Sequence, residues 1–422
     1  MLDKETPAYP TNILYDYLSD RSIQYGEPGE SGPTESSEIT RGVPQGLVLG
    51  PFLWNVMFNS VLEVSLPPDT SAMCYAEDTV IVTKARSAKE LGQRGTEAAY
   101  AIVNKIEELG LTIAHHKTVG GHEIPWSSNM TYLGVTMDRR VTYAAHVRNA
   151  TARAIEVTKK LRRILPNTGG PRQARRRLLG RVAEAVMLYA APVWAHAAKK
   201  QGCNNQLTTA QRLATRTEVA AYEIISAEAA NVIAETPPAH PLAEKRERIW
   251  KRRTETLREG RPNAHGLIRD VKKKERINTV AAWQNEWTTT AKSEWTRRMI
   301  PDLPKWYKDK GKISYHLTQA LCGHGCFIAY LKRFGKKSNA KCYECTEPND
   351  TAEHAIYKCP RTSRLRQALS DRGNPLTPGN PVKEMTSSRD EWRRMKHVLG
   401  KIVRHREQVE RTAQAGAAHN VS

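Results

Sequence analysis

Two neighbouring carboxylates, Glu77 and Asp78, lie between two short runs of apolar and β-branched residues, 73–75 and 80–82. Such runs on both sides of a short polar pair are typical of a β-hairpin. At a hairpin tip the two carboxylates would repel each other unless a cation lay between them. The pattern therefore indicates a divalent metal site of the kind that supports nucleotidyl transfer. Taken alone, the pair is more typical of an ordinary polar turn, and the rest of the chain is what favours the metal site.

A second set of reactive side chains has the spacing of a closed zinc site, C-x2-C-x8-H-x4-C. A Cys-x-x-Cys turn presents two thiolates, and a later His and Cys can complete a tetrahedral shell. The odd total of seven cysteines favours metal binding or free thiols over a disulfide framework. The sequence thus predicts a structural Zn²⁺ bound by Cys342, Cys345, His354 and Cys359.

Three further candidate ligands, Cys322, His324 and Cys326, precede this set. Their C-x-H-x-C spacing is crowded and is not a usual arrangement of metal ligands. We therefore expect a structural Gly-His-Gly turn here, with a second metal ion as the alternative.

The charge of the chain is large and unevenly distributed. The net charge is +21, from 65 Lys+Arg and 44 Asp+Glu. Residues 1–140 contain 11 basic and 18 acidic residues, a net charge of −7, which leaves 54 basic and 26 acidic residues, a net charge of +28, for 141–422. This asymmetry predicts a polyanion partner held mainly by the later segments. A merely solvated basic surface is the alternative.

The composition is that of a globular protein of two or three domains. With 422 residues, 39% of them hydrophobic, the chain can bury a substantial core. No run approaches the roughly 20 apolar residues of a membrane helix, and the first residues lack the regions of a secretory signal. We therefore expect an intracellular protein without a membrane partner.

The elements that must position the acidic pair mix helices with short strands. Residues 41–51 contain three glycines and two prolines, which mark irregular backbone able to approach a ligand closely. Helical spacing of apolar residues then begins at Pro51. This mixture predicts an α+β fold rather than repeating parallel βαβ units. We expect helices at 10–20, from 51 onward and at 87–109, and strands at 22–25, 37–40, 111–114 and 130–137.

From about residue 142 the sequence becomes Arg- and Ala-rich and helical. Trp283, Trp287 and Trp295 have the spacing of one helix face within 278–300. Core packing is the preferred interpretation of this stripe, and base stacking is the alternative. Beyond residue 385 we expect a fraying helix and a tail. The other predicted helices cover 142–164, 171–199, 205–235 and a stretch that ends near 262.

These motifs resemble a known family when they are taken in order. Residues 41–51, followed by the Tyr-Ala-Glu-Asp of 75–78, resemble consecutive palm motifs of reverse transcriptases, in particular those of non-LTR, LINE-type retrotransposon polyproteins. Residues 110–118 and 132–135 resemble the next palm motif and the strand that leads to the thumb. The segments 315–327 and 342–359 resemble the tail of the same polyproteins, including a CCHC zinc knuckle.

The resemblance implies roles for individual residues. Pro44, Gln45 and Gly46 would lie against the incoming nucleotide and template. Glu77 and Asp78 would bind catalytic Mg²⁺. Lys117 would contact phosphate or protonate the pyrophosphate leaving group. RNA and DNA, as template and primer, are then the expected partners, and a nuclear location is expected.

Two departures from the family pattern predict that the chain is inactive by itself. The family's first palm aspartate, which comes from an earlier strand, has no counterpart among Asp3, Asp16 and Asp20. The fingers are missing with it, and another chain that supplies them stays open as a partner. The acidic pair is also Glu-Asp, where the family usually has Asp-Asp. A misplacement of ~1 Å can cost on the order of 100-fold in rate.

The resemblance and the composition together predict five regions and two functions. The first function is a fragment of a retrotransposon RNA-directed DNA polymerase. The second is a non-catalytic nucleic-acid-binding remnant that acts through its basic helices and zinc knuckle. The regions are a partial palm at 1–140, a basic helical thumb or connection at 141–240, a helical region at 241–335, the zinc knuckle at 336–365, and a charged helix and tail at 366–422.

Overall fold

The computed structural model describes residues 7–25, 35–39, 42, 46, 48–113, 127–260, 264–370, 377 and 381–419. Contacts within the chain separate two compact units, Met1–Trp126 and Ser127–Ser422. Each unit contains helices and small antiparallel hairpins, so the predicted α+β class is confirmed. The domain limits expected at residues 140, 240, 335 and 365 stay predictions.

Local sequence signals set the helices of the first unit. Pro51 occupies the first turn of its helix. Backbone N–H groups there have no partner within the helix, so the N–H that proline lacks costs no hydrogen bond. Ser87 caps the following helix by accepting a hydrogen bond from the N–H of Glu90, and the Glu90 carboxylate accepts one from the N–H of Arg86. The elements are α1 (Ala8–Leu18), β1 (Ser22–Tyr25), β2 (Glu35–Glu38), α2 (Gly50–Leu62), β3 (Thr70–Tyr75), β4 (Asp78–Thr83) and α3 (Ala88–Glu108).

The β3–β4 hairpin has one covered face and one exposed face. Tyr75 lies opposite Asp78 in the antiparallel register, so their side chains share a face. Met73 and Tyr75 are exposed on that face. The alternate residues cover the small core of this unit, which contains Ala72, Cys74, Ile81, Phe58, Val61 and Ile102. Because a shift of one residue would exchange the two faces, this packing fixes the register and leaves Asp78 in solvent.

Two strand predictions are corrected. The stretch predicted as one strand at 130–137 is a second hairpin of β5 (Asn129–Tyr132) and β6 (Val135–Asp138). Its turn residues, Leu133 and Gly134, have φ values of 46° and 76°, the left-handed pair that suits a two-residue hairpin turn. Residues 111–113 are not in a strand, because the N–H of Leu111 closes the end of α3 by donating to the Ile106 carbonyl. Ala114 lies outside the described residues.

The first helices of the second unit surround a core that includes Trp194 and Leu207. The predicted helices at 171–199 and 205–235 are each interrupted, at Ala190 and Ala220, which have φ values of 50° and 53°. The elements are α4 (Ala144–Arg162), α5 (Gln173–Met187), α6 (Ala191–Trp194), a 3-10 turn (Ala195–Lys199), α7 (Gln201–Glu218), α8 (Ala227–Ala234) and α9 (Ala239–Arg258).

No single helix of the described chain has the length and apolarity to cross a membrane. The segments 173–187 and 191–199 meet those two requirements only when taken together as a pair bent by 49°.

The remaining helices build a larger core in which the tryptophans are packed. Trp283 and Trp287 are 3% and 2% exposed, which confirms core packing as their role. Their predicted alignment with Trp295 is wrong, because the helix ends and Ser293, with φ of 62°, precedes a new one. The elements are α10 (Ala264–Thr289), α11 (Glu294–Met299), α12 (Leu303–Asp309), α13 (Tyr315–Cys322), α14 (Ile328–Arg333), α15 (Ser363–Ser370), α16 (Pro381–Met385) and α17 (Arg389–His419), with a π-helical turn (His354–Lys358) and a 3-10 turn (Pro360–Thr362).

The helix predicted beyond residue 385 is present, but in the described part of that segment it packs on the core instead of fraying. Helix α17 covers the larger core with an apolar stripe, and its Trp392 ring lies 5.6 Å from the ring of Trp306. The stripe consists of Trp392, Met395, Val398, Leu399, Ile402 and Val403. This packing fixes the helix that reaches the Cys/His cluster.

Candidate metal centres and nucleic-acid interface

The acidic pair lies at the tip of the β3–β4 hairpin, as predicted. Glu77 is in the turn and Asp78 is the first residue of β4, and both are exposed. Ala76, before them, has φ of 51°, a left-handed conformation that costs a non-glycine residue about 1 kcal/mol. Within the described chain, neither carboxylate makes a side-chain hydrogen bond or an ion pair, and no third acidic, His or Cys side chain joins them. The tip therefore presents two unpaired ligands to solvent.

The motif that precedes α2 is only partly described. Gly46 is in a turn with φ of 93°, a conformation that favours glycine. A Cβ atom placed there would meet no atom within 4 Å, so the backbone is open to an approaching ligand. Arg21 holds the start of this segment by donating to the carbonyl of Gly42 at 2.7 Å. Pro44, Gln45 and Lys117 lie outside the described residues, so their roles stay predictions.

The four predicted zinc ligands converge in the second unit. Their ligand atoms all lie within 4.8 Å of one another, and three of the four side chains are buried. The Cys345 Sγ and His354 Nε2 atoms are 3.3 Å apart. A sulfur and a nitrogen bound to one zinc ion at tetrahedral angles are about 3.6 Å apart. The cluster consists of Cys342, Cys345, His354 and Cys359.

Asp350 orients the imidazole of the cluster. Its Oδ1 atom lies 2.8 Å from His354 Nδ1, and the Asp350 side chain is fully buried. The carboxylate accepts the proton of Nδ1, which leaves Nε2 as a lone-pair donor toward the thiols. The N–H of Ile328 also donates to Asp350, through Oδ2, at 3.3 Å. The buried carboxylate therefore orients the histidine so that Nε2 lies beside the thiols.

Arg406 reaches the same cluster from helix α17 and is 3% exposed. Its Nη1 atom is 3.2 Å from Cys342 Sγ and 3.1 Å from Glu344 Oε2, and its Nη2 atom is 3.3 Å from Asp350 Oδ1. Burial disfavours the charged guanidinium, but Asp350 and Cys342 outweigh it and raise the pKa of Arg406. Three thiolates around a divalent ion carry excess negative charge, and this guanidinium offsets it.

The chemistry of the donor set fits zinc. Desolvation raises the pKa of Cys345, and the neighbouring Cys342 and Cys359 raise it further. Such thiols lose their protons when a cation joins them, because the thiolate is the metal ligand. Three sulfurs and one imidazole nitrogen form the closed set of a structural zinc site, with no position left for substrate.

The neighbouring cluster of Cys322, His324 and Cys326 differs from the metal cluster. The Cys322 thiol points to the carbonyl of Gln319 at 3.7 Å, and the His324 ring stacks on Tyr330 with centroids 5.1 Å apart. Burial lowers the pKa of His324 to about 4. Among the residues described, these side chains form no ligand group, which agrees with the structural turn expected from the sequence.

The sequence prediction missed two residues of this centre, Asp350 and Arg406. Asp350 precedes the ligand His354 by four residues, and a carboxylate at such a short distance from a ligand histidine was a usable signal. Arg406 is 64 residues from Cys342 in the chain. Among the basic residues of α17, sequence alone gave no reason to select it.

Comparison with known proteins finds similarity to reverse transcriptases and to retrotransposon proteins. The reverse transcriptase (RNA-dependent DNA polymerase) family matches residues 3–137, the segment that contains the acidic hairpin. A putative 115 kDa protein of the type-1 retrotransposable element R1DM of Drosophila melanogaster is 25% identical over 366 residues. The chain is related to the non-LTR retrotransposon reverse transcriptases. The resemblance noted in the palm motifs is thereby confirmed.

The similarity to retrotransposon proteins extends well beyond the reverse transcriptase segment. The R1DM protein matches 80% of this chain, and the chain spans 35% of its length. A Retrovirus-related Pol polyprotein from the type-1 retrotransposable element R1 2 of Nasonia vitripennis is 25% identical, over 75% of this chain and 85% of its own length. The RNA-directed DNA polymerase from the Drosophila melanogaster mobile element jockey is 28% identical over 32% of this chain and 17% of its own length. No solved structure matches the chain significantly.

Proposed function

We propose that this chain is a fragment of a retrotransposon RNA-directed DNA polymerase that binds RNA and DNA. The observation that carries the proposal is the exposed pair Glu77 and Asp78 at a hairpin tip, inside the segment that matches reverse transcriptases. Carboxylates are the ligands that Mg²⁺ prefers, and the ion would position the attacking and leaving oxygens of nucleotidyl transfer. In this role Gly46, with an open backbone, would lie against the nucleotide, together with Pro44 and Gln45, and Lys117 would assist the leaving group.

The same hairpin also supports the expectation that this chain does not catalyse polymerisation by itself. Glu77 carries one methylene more than the aspartate usual in the family, and a shift of ~1 Å can reduce a rate on the order of 100-fold. No further carboxylate joins the pair within the described chain. Two exposed carboxylates give Mg²⁺ only two protein ligands. The ion would keep water molecules in its other coordination positions.

The basic part of the chain supports binding of the nucleic-acid backbone. Residues 141–422 carry a net charge of +28, from the 54 basic and 26 acidic residues counted in the sequence. Phosphate contacts made by such a surface are insensitive to base sequence and strongly sensitive to salt. We further propose that zinc is the structural ion of the knuckle, and that the chain acts in the nucleus.

Primer extension on an RNA template with Mg²⁺ tests the catalytic part of the proposal. The unaltered chain is expected to give no templated product, and Glu77→Asp is the variant that restores the family's acidic pair. Asp78→Asn is the matched control, because it removes a metal ligand without a change in size. Templated extension by the unaltered chain would refute the expected inactivity. Extension that requires a second polymerase chain would indicate that a partner supplies the missing ligand.

The second candidate function is a nucleic-acid-binding remnant without chemistry. The uneven charge favours it, because the basic excess lies outside the segment that matches reverse transcriptases. The affinity for nucleic acid should then fall steeply as salt rises, in the unaltered chain and in Asp78→Asn alike. An affinity that barely changes between low and high salt would contradict this function.

A further inference from the structure

A short segment that leads into the zinc cluster combines exposed aromatic rings with basic residues. Residues 332–343 contain five Lys or Arg residues and no Asp or Glu. Phe334 is 42% exposed and Tyr343 is 46% exposed. We name this segment the aromatic platform. Exposed aromatic rings within a positively charged surface are the features by which proteins bind single-stranded nucleic acid.

The fold fixes the Phe334 ring at the end of helix α14. The N–H of Lys336 donates to the Leu331 carbonyl and the N–H of Gly335 donates to the Lys332 carbonyl. This is the Schellman arrangement, and Gly335 supplies its left-handed residue with φ of 67°. The ring of Phe334 also packs on Tyr330, with centroids 5.1 Å apart. An ordered ring loses little conformational entropy when a base stacks on it.

The metal cluster and Lys337 position Tyr343. Tyr343 lies between Cys342 and Cys345, two of the four converging ligands. The ammonium of Lys337 lies 5.4 Å from the centroid of the Tyr343 ring and 2.8 Å from Glu410 of α17. Lys337 follows Phe334 by three residues in the chain, so a residue close to Phe334 in sequence contacts the Tyr343 ring.

The other cations of the platform are available to a ligand. Lys332, Arg333, Lys336 and Lys341 are exposed, and none forms an ion pair with any residue that the structure describes. The Arg333 guanidinium lies 5.9 Å from the centroid of the Phe334 ring. Backbone phosphates could thus be bound beside the rings on which bases stack.

Helix α9 also has an exposed aromatic residue among basic residues, but its cations are paired differently. Trp250 is 52% exposed. The neighbouring Lys251 pairs with Glu247 at 2.7 Å, and Arg252 pairs with Glu255 at 3.4 Å. Its cations are therefore partly neutralised by the helix itself, whereas in the platform only Lys337 forms an ion pair with a described residue.

We propose that the aromatic platform binds single-stranded nucleic acid, with Phe334 and Tyr343 stacking on bases and Lys336 and Lys341 contacting phosphates. The proposal rests on the proposed nucleic-acid binding of the chain and adds to it the surface and the strandedness of the ligand. Stacking is tolerant of base identity, since every base has a π-face. RNA and DNA single strands share this chemistry.

Fluorescence anisotropy with labelled single-stranded RNA, single-stranded DNA and a duplex of the same sequence tests the proposal. The full chain carrying Phe334→Leu and Tyr343→Leu should bind both single strands at least about tenfold more weakly, since each stacked base contributes about 1–3 kcal/mol. Affinity for the duplex should change less than about twofold, because its bases stack on one another. Trp250→Leu, the matched control on α9, should leave all three affinities within about twofold.

A second variant separates phosphate contacts from stacking. Lys336→Gln together with Lys341→Gln should reduce the slope of log affinity against log salt by about 1.4, since each contact to a single strand contributes about 0.7. Unchanged zinc content and melting temperature would show that both double variants are folded.

The outcomes separate this proposal from the proposed function. If the unaltered chain binds no nucleic acid, both fail. If it binds nucleic acid and the folded Phe334→Leu, Tyr343→Leu variant binds single strands equally well, only the platform is refuted. Equal losses with Trp250→Leu would also refute the platform, because stacking would then not be confined to it. The two single-stranded probes show whether RNA or DNA is preferred.

Discussion

The acidic hairpin and the Cys/His cluster are both candidate metal centres, but the fold supplies very different parts of each. At the hairpin tip, Glu77 and Asp78 are exposed and lack side-chain partners within the described chain. In the cluster, the four ligand atoms lie within 4.8 Å of one another. Buried Asp350 and Arg406 contact two of these ligands, His354 and Cys342. At the hairpin, the described chain supplies no third acidic, His or Cys side chain as a metal ligand, whereas in the Cys/His cluster the chain itself supplies the ligands and orients them.

The difference shows what a metal site requires beyond its ligands. Partners behind the ligands fix their orientation and protonation, and their loss typically costs about 10–100-fold in metal affinity. The knuckle has such partners from three parts of the chain, namely Ile328, Asp350 and Arg406. The described residues around the hairpin offer none. We therefore expect stable binding of metal only at the knuckle.

Removal of a knuckle ligand should have the largest effect. Cys345→Ser replaces a thiolate by a hydroxyl, a poor zinc ligand, so the purified chain should fall from one equivalent of zinc to almost none. Elemental analysis measures the zinc content. Cys326→Ser is the control, because Cys326 lies in the cluster that forms no ligand group, and it should keep one equivalent. Full zinc retention by Cys345→Ser would remove the distinction between the two centres.

Loss of the buried guanidinium should have the next largest effect. Arg406→Met keeps much of the apolar stem but removes the hydrogen bond to Cys342 and the ion pair with Asp350, so a chelator should extract zinc about 10–100-fold faster. Release is followed with a coloured chelator. Arg404→Met is the control, because Arg404 is exposed on the same helix, and it should change the rate less than about twofold. Equal rates in both variants would show that Arg406 does not position the ligands.

Removal of zinc gives an independent test of the contact between Arg406 and the zinc ligands. Amide hydrogen exchange around Arg406 in α17 should accelerate when the metal is removed, because the guanidinium then loses its thiolate partner. Exchange that stays unchanged there would indicate that α17 and the metal centre are independent.

The buried His324, which lies outside the metal cluster, should make the free energy of unfolding depend on pH. Its pKa is about 4 in the folded chain, against 6.5 for an ordinary histidine. The folded state therefore binds this proton less readily, so its contribution to stability is fully present above about pH 6.5 and is lost as pH falls toward about 4. The free energy of unfolding should fall by about 1–2 kcal/mol more in the unaltered chain than in His324→Leu between about pH 7 and 5.

Urea unfolding of both chains measures this difference. Protonation of the zinc ligands at low pH affects both chains alike and cancels in the comparison. An NMR titration of the His324 ring with a pKa near 6.5 would contradict the burial that the structure shows.

Changes at the acidic hairpin should have the smallest effect on stability. Glu77→Gln together with Asp78→Asn should alter the free energy of unfolding by less than about 0.5 kcal/mol, because neither side chain has a partner to lose. Urea unfolding with and without millimolar Mg²⁺ provides the measurement. A clear stabilisation by Mg²⁺ in the unaltered chain that the double variant lacks would show a preformed magnesium site.

Much of the local structure could be predicted because its signals lie close together in the chain. Two short runs of apolar and β-branched residues on either side of Glu77 and Asp78 predicted the hairpin, and Pro51 predicted the start of α2. The breaks at Ala190 and Ser293 were not predictable, because Ala-rich and Trp-containing stretches keep a helical pattern across them. Positive φ at a non-glycine residue is imposed by packing, and such conformations have only a weak local signature.

The sequence by itself determined the two sets of ligands, since both depend on spacings of a few residues. It also determined the uneven charge that favours a polyanion, and the resemblance that the family match confirms. Only the tertiary structure decided that α17 is a core helix and that Arg406, 64 residues beyond Cys342, completes the knuckle. Contacts over that distance depend on how helices pack, which the local pattern of either segment does not encode.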